Sequence, residues 1–180
     1  AFLFIYVAIR CLSWIFCVII FAVGIILLLA LVTYYPYDPN FIFPDKTEIK
    51  NLFGFRGIFI SDLFFQSVGL IAYLISFTLI ITGINIIRIK EFFLIIENIF
   101  FIIIYSLLGA LCFNHFYFKS FFLYINGNGG FVGNYLNQTF LSNIIQINED
   151  IFYLIIILIT LVLFLISINF SLENFFMSFK

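Results

Sequence analysis

The 180-residue chain contains 65% hydrophobic and 9% charged residues, and its mean hydropathy is +1.25. A soluble domain carries about 25% charged residues, so this composition excludes an ordinary soluble protein and indicates an integral membrane protein. Eight basic and nine acidic residues nearly cancel, which leaves no positive field for nucleic acid. We therefore expect the lipid bilayer to be the main partner and expect no direct nucleic-acid binding by this chain.

Four apolar runs are long enough, at about 1.5 Å per helical residue, to cross a hydrocarbon core of about 30 Å. They cover residues 11–33, 62–87, 92–113 and 151–169. The three cysteines fall inside apolar runs, where thiols behave as small hydrophobes, so neither a disulfide framework nor a metal site is predicted. The predicted fold is an all-α integral membrane domain of four transmembrane helices, forming a single domain over residues 1–180.

The first span ends in an aromatic and proline-rich segment. Tyr34, Tyr35 and Tyr37 form a collar typical of the headgroup level, and Pro36 ends the helix. The loop that follows, residues 34–61, holds all three prolines and much of the charge. Lipid cannot satisfy irregular backbone groups, so this outer loop is expected to meet water or other proteins.

The last part of this loop predicts how the chain enters its second span. Residues 51–60, NLFGFRGIFI, are apolar with Gly54 and Gly57 three apart, which suits a short element at the membrane interface. Ser61 and Asp62 follow, and either side chain can accept hydrogen bonds from a first helical turn. We therefore predict that the second span begins at Asp62.

A short basic loop, residues 88–91, connects the second and third spans and contains Arg88 and Lys90. Short loops rich in Lys and Arg tend to remain in the cytoplasm. The basic residues on the two predicted sides of the membrane are otherwise balanced, so the orientation depends on this loop. It predicts that both termini are cytoplasmic.

Glu97 lies about one and a half turns into the third span. An acid inside a membrane is a candidate proton relay or substrate contact. Glu97 is also close enough to the interface to reach water, Arg88 or Lys90, which is the simpler, structural interpretation. The functional alternative is a small multi-span transporter or redox-complex subunit in which Glu97, Gln66 and Asn114 line a polar path.

A second outer segment, residues 114–150, is too polar to span as a whole. Its glycines predict a turn, and residues 131–147 then predict a short amphipathic or re-entrant outer helix before the fourth span. Gly130 and Gly133 repeat the spacing of Gly54 and Gly57, which either reflects an internal pseudo-repeat or is chance. These glycines lack the GxGxxG spacing and no GxxxxGK[ST] is present, so no phosphate-binding loop or catalytic constellation is predicted.

Three blocks of the sequence carry motifs of a known family. They are TYYPYDPNF, NLFGFRGIFISDLFFQSVGLIAYLI and GGFVGNYL, of which the second is the most specific. In order, they resemble the N-terminal four-helix membrane domain of the FtsK/SpoIIIE bacterial DNA translocases. Asn169 departs from the glycine that usually ends the family's fourth helix. The residues that carry the resemblance are Pro36, Asp38, Pro39, Asn51, Gly54, Gly57, Ser61, Asp62, Gly69, Gly130 and Gly133.

The resemblance implies a membrane-anchoring and assembly domain of a cell-division DNA translocase. Such a domain holds a cytoplasmic ATP-driven motor, absent from this chain, at the division septum of the bacterial inner membrane. It also implies a homo-oligomer, a hexamer in the family, and contacts with other division proteins. ATP and Mg would belong to the motor, so no cofactor is expected in this chain, and the motif residues are structural or interaction candidates.

Overall fold

The computed structural model of the chain describes residues 2–39, 48–89, 93–116, 126–141 and 149–169, with the side chains of 2–13, 89, 93, 140 and 141 left undescribed. Within these ranges every regular element is helical, which confirms the predicted all-α fold. A 3₁₀ turn, Gly69–Ile71, links the second and third helices, and a π turn, Asn137–Leu141, follows the fifth. The α-helices are α1 (Phe2–Val32), α2 (Gly54–Val68), α3 (Ala72–Ile89), α4 (Phe93–Phe116), α5 (Gly130–Leu136) and α6 (Glu149–Ser167).

Four stretches of the described chain are long and apolar enough to cross a membrane, which confirms the four-span prediction. Helices α1 and α3 run antiparallel. The Tyr73 hydroxyl of α3 donates a hydrogen bond of 3.2 Å to the carbonyl of Leu31 near the C-terminal end of α1. This end of the bundle is called outer, and the opposite end inner, after the predicted orientation. Near the inner end, Cys17 of α1 packs with Ile86 of α3. The two helices are therefore in contact across the thickness of the membrane.

Helix α4 runs antiparallel to α3 and to α6, and polar side chains mark the contacts. Asn98 of α4 donates a 2.7 Å hydrogen bond to the Thr82 hydroxyl of α3. The hydroxyls of Tyr105 and Thr78 lie 2.9 Å apart and share a hydrogen bond, with the Ser167 hydroxyl of α6 3.4 Å from Thr78. Four antiparallel spans in this order place the start of α1 and the end of α6 at the same end of the bundle.

The entry into the second span differs from the sequence prediction. The helix begins at Gly54 rather than at Asp62, and Ser61 and Asp62 lie in the middle of α2. Ser61 donates its hydroxyl proton to carbonyls of the preceding turn, including that of Gly57 at 2.8 Å, so the predicted capping role is wrong. The break comes later, at Gly69, whose φ of +69° ends α2 before the spanning helix α3. The motif residues thus build a separate outer helix.

The short outer helix α5 lies against the outer end of α4, and it precedes α6 as the sequence analysis expected. The predicted outer helix over residues 131–147 is described as far as residue 141, and residues 142–148 lie outside the described part. Lys90 and Glu91 of the inner loop also lie outside it. The two outer helices, α2 and α5, contact each other, and together with the residues that lead into them they form the outer cap of the bundle.

Candidate functional site at the outer cap

Asp38 and Asn51 hold the two ends of the first outer loop together. The Asp38 carboxylate is 3% exposed and accepts the backbone N–H groups of Lys50 and Asn51, each at 2.9 Å. The Asn51 amide donates to the Ala30 carbonyl at 3.0 Å, while its oxygen accepts the Phe53 N–H at 3.1 Å. These buried hydrogen bonds attach both loop ends to the last turn of α1. The sequence analysis selected both residues from motif position alone.

The prolines shape the exit from the first span. Pro36 occupies the second position of a turn closed by a hydrogen bond from the Asp38 N–H to the Tyr35 carbonyl at 3.0 Å. Proline suits that position because its fixed φ matches the turn. Pro39 follows Asp38 and is half-buried. The Lys50 ammonium lies 3.8 Å from the centre of the Tyr35 ring, which adds a cation–π contact across the loop.

Gly54 and Gly57 begin α2 and fit against the same asparagine. Gly54 adopts φ +60° and its N–H donates to the Asn51 carbonyl at 2.9 Å. A Cβ on Gly57 would overlap the side-chain oxygen of Asn51. The glycine spacing therefore allows a buried amide to lie directly against the first turn of a helix.

Asp62 and Phe65 connect α2 to the end of α1. The Tyr34 hydroxyl donates to an Asp62 carboxylate oxygen at 3.1 Å, and Asp62 is 9% exposed. The Tyr34 ring meets Phe65 edge to face, with ring centres 4.9 Å apart. Ser61 is fully buried beside Asp62 on the same helix. The predicted site residues on α2 thus form its inward face.

The break after α2 packs closely against the start of α5 through Gly69 and Gly130. Both adopt positive φ, +69° and +63°. The Leu70 N–H donates to the Asn128 carbonyl at 2.9 Å, and a Cβ on Gly69 would overlap that same carbonyl. A Cβ on Gly130 would lie 2.6 Å from the Ser67 carbonyl oxygen. Two distant motif glycines are therefore brought into one backbone contact.

The remaining glycines of this region fit α5 onto α4. A Cβ on either Gly129 or Gly133 would overlap the Ala110 carbonyl oxygen. Asn114, one turn further along α4, is 3% exposed and lies against the same two glycines. The sequence analysis missed Gly129 as a site residue. Its signal was present in the i, i+4 spacing with Gly133, which places both glycines on one helical face.

The two outer helices begin with the same local geometry. In each, a turn is closed by an i to i−3 hydrogen bond, from Gly54 to Asn51 at 2.9 Å and from Gly130 to Gly127 at 3.2 Å. In each, the closing glycine has positive φ and starts the helix, and another glycine follows three residues later. The spacing noted in the sequence therefore corresponds to a shared backbone structure. Whether it reflects duplication stays an interpretation.

Glu97 does not join the other polar residues of the proposed intramembrane path. Its side chain is exposed on α4, about one turn from the inner end of that helix. Asn114 lies seventeen residues further along the same helix, or about 26 Å away. Gln66 lies on α2 at the outer end and accepts hydrogen bonds from Asn126 at 3.3 Å. Their positions give no support to a transport or redox path through these three residues.

The sequence analysis also missed the polar contacts inside the bundle. Thr78 and Thr82 are spaced four apart on α3, and Asn98 and Tyr105 are spaced seven apart on α4. Both spacings place the members of a pair on one helical face, so the signal was available. Asn85 extends the row on α3 and donates to the Ile168 carbonyl at 2.9 Å. Such hydrogen bonds stabilise helix pairing within lipid, where apolar side chains gain little by contacting another helix instead of acyl chains.

These features define a class of protein: a four-span helical membrane domain whose outer end is closed by two short helices. The family model for the 4TM region of DNA translocase FtsK/SpoIIIE matches residues 10–180, and the chain belongs to that family. This confirms the resemblance drawn from the motifs. The family is the membrane part of a translocase rather than its catalytic part. No match is found among curated proteins or among solved structures.

Proposed function

We propose that this chain is the membrane-anchoring and assembly domain of a cell-division DNA translocase. It holds a cytoplasmic ATP-driven motor at the division septum and contacts other membrane proteins of the division machinery. The observation that carries the proposal is the family match over residues 10–180. ATP and Mg are bound by the motor, and this chain contributes no catalytic residue.

The architecture supports an anchoring role. The start of α1 and the end of α6 lie at the same end of the bundle, so a motor attached after α6 would share a compartment with the start of α1. We propose that the bundle lies in the bacterial inner membrane and that this compartment is the cytoplasm. Arg88 is exposed at the inner end of α3, which agrees with the tendency of basic residues to remain inside.

The outer loop is our candidate for contacts with division proteins. Glu48 and Lys50 are exposed at its end, next to the closure by Asp38 and Asn51. The hydrogen bond from the Lys50 backbone N–H to Asp38 fixes Lys50 at the closure, and Glu48 lies two residues before it. We also propose that the chain assembles with copies of itself, as a hexameric motor requires.

A fluorescent fusion of this chain tests the targeting part of the proposal. In dividing bacteria the fusion is expected to concentrate at the septum, and an unrelated four-span protein with the same fluorescent partner is the control. Even fluorescence around the whole membrane for both fusions would contradict septal targeting. Membrane fractionation verifies that each fusion is inserted, so a negative result cannot arise from a failure to insert.

The coding sequence downstream of Lys180 tests the motor part. A linker followed by a P-loop ATPase domain is the expected finding. Further membrane spans in its place would contradict the assignment to a translocase.

A further inference from the structure

Helix α2 turns an apolar face away from the protein. Phe55, Phe59 and Leu63, here called the interfacial face, follow each other at four-residue spacing and are 53%, 51% and 56% exposed. The opposite face of the helix is buried and holds the motif residues described above. The buried residues of α2 are Gly57, Ile58, Ser61, Asp62 and Phe65.

The contacts of α2 place it beside the outer end of the bundle rather than above it. At its start, the Asn51 amide bonds to the Ala30 carbonyl of α1. Towards its end, Phe65 belongs to the same buried cluster as Leu27 and Leu31 of α1. Both ends of α2 therefore meet α1 between Leu27 and Tyr34, which spans only about 10 Å along the axis of α1. The helix lies at the depth where the first span leaves the bilayer.

The interfacial face continues the lipid-facing surface of the first span. Val32, in the last turn of α1, is 63% exposed, and so is Leu52. The Leu52 N–H donates to the Thr33 hydroxyl at 3.2 Å, which brings Leu52 next to that turn. Exposed apolar side chains therefore continue from the last turn of α1 through Leu52 to Phe55.

The charges of α2 also fit a lipid surface. Arg56 is exposed next to the interfacial face, whereas the acid of the same helix, Asp62, is buried and bonded to Tyr34. A basic residue beside aromatic residues is the pattern of helices that lie in the headgroup region. Helix α5, at the same end of the bundle, also exposes aromatic side chains, since Phe131 and Tyr135 are 58% and 56% exposed.

We propose that α2 is an interfacial helix, which lies in the outer headgroup region of the bilayer with Phe55, Phe59 and Leu63 in contact with lipid acyl chains. The occupant of this face is the lipid surface and not another protein. The outer loop is thereby divided in function, because α2 rests in the membrane while the charged residues near Glu48 and Lys50 remain in water. This inference goes beyond the anchoring role and would hold for the domain whatever its partners are.

Tryptophan quenching in vesicles tests the proposal directly. The chain contains a single tryptophan, Trp14, which is 50% exposed on the spanning helix α1 and serves as the lipid-facing reference. The variant Trp14→Phe with Phe59→Trp reports on the interfacial face, and Trp14→Phe with Glu48→Trp reports on the loop. Each is reconstituted in phosphatidylcholine and phosphatidylglycerol vesicles, with and without bromine in the upper acyl chain.

The expected result is that bromine quenches the tryptophan of the Phe59→Trp variant by at least the same fraction as Trp14, while aqueous acrylamide leaves it largely unquenched. The Glu48→Trp variant should behave in the opposite way. Leu63→Trp in the same background should match Phe59→Trp, which separates a property of the helix from a defect of one variant.

Quenching of the Phe59→Trp variant by acrylamide but not by bromine would overturn the proposal. Protection from both quenchers would overturn it as well, and crosslinking of Phe59→Cys would then show whether a second copy covers the face.

Discussion

At the scale of single residues, Asn51 connects three parts of the outer cap, namely the end of α1, the start of α2 and the turn at Asp38. Its amide binds the end of α1, its side-chain oxygen binds the start of α2, and its N–H binds Asp38. A buried polar group that loses its partner costs about 1–3 kcal/mol, because the group left behind has no water to replace the bond. The motif residues of the outer cap therefore stabilise it through hydrogen bonds and close backbone packing.

We expect Asn51→Ala to lower the free energy of unfolding by about 1–3 kcal/mol, since it leaves the Ala30 carbonyl and the Phe53 N–H without their bonds. Unfolding by a denaturing detergent measures the change. Glu48→Ala is the matched control, because Glu48 is exposed and its loss should stay within about 0.5 kcal/mol. Equal effects of the two substitutions would contradict the role assigned to Asn51.

The glycines with positive φ allow a sharper comparison. Gly54 and Gly69 adopt φ +60° and +69°, but a Cβ on Gly54 meets nothing within 4 Å whereas one on Gly69 overlaps the Asn128 carbonyl. We expect Gly54→Ala to cost about 1–2 kcal/mol, from backbone strain alone. Gly69→Ala should cost a further ~1–3 kcal/mol, from overpacking and from the ψ of −145° that Gly69 combines with its positive φ. The same unfolding measurement would contradict this account if the two variants were equally stable.

At the scale of elements, the helices differ in how far the sequence predicts them. Four spans follow from length and hydropathy, because a helix that crosses lipid needs an uninterrupted apolar run. The break at Gly69 does not follow, because residues 62–87 are predicted as one apolar span and the break is accompanied by a contact with Asn128, far away in the chain. The capping prediction at Ser61 and Asp62 failed for the same reason. The polarity of the two residues suggested a helix start. In the structure, tertiary contacts bury both side chains in the middle of α2.

The resemblance to a family selected the outer-cap residues as a set, but the sequence could not say what each one touches. Asp38 and Asn51 come together only when the loop closes, and the structure shows that closure. The polar row between α3 and α4 could have been found from spacing. The same residue types also occur at lipid-facing positions. The spacing alone therefore does not identify a contact until the antiparallel pairing of α3 and α4 is known.

The hydrogen bond from Asn98 to Thr82 should contribute to helix pairing. We expect a double-mutant cycle of Asn98→Ala and Thr82→Ala to give a coupling free energy of about 0.6 kcal/mol, and at most about 1.7 kcal/mol. The pair Asn98→Ala and Ser61→Ala is the control, because Ser61 bonds only within α2 and the two effects should add within about 0.5 kcal/mol. No coupling between Asn98 and Thr82 would contradict the assigned bond.

At the scale of the whole molecule, the bundle separates two surfaces. Its outer end carries the loop closure and the two short helices, and its inner end carries the start of α1, the end of α3, the start of α4 and the end of α6. The anchoring proposal needs the inner end to face the cytoplasm, where a DNA motor can act. The outer end then faces the space in which division proteins meet.

Cysteine labelling tests this orientation. In a background without the three native cysteines, Lys50→Cys and Arg88→Cys are a matched pair, because both residues are exposed and they lie at opposite ends of the bundle. The reagent is a membrane-impermeant maleimide, added to cells in which only the layers outside the inner membrane have been permeabilised. It is expected to label Lys50→Cys. Arg88→Cys should react only after the inner membrane is permeabilised. The reverse pattern would contradict cytoplasmic termini.

The most direct measurement for the account as a whole is a domain exchange in a living cell. This chain replaces the four-helix membrane domain of a fluorescently labelled translocase of the same family, and the fraction of dividing cells with fluorescence at the septum is counted. Our account predicts a fraction close to that of the unmodified translocase, and far above that of a motor carried by an unrelated four-span protein. A motor that enters the membrane through this chain and stays dispersed around the cell would contradict it.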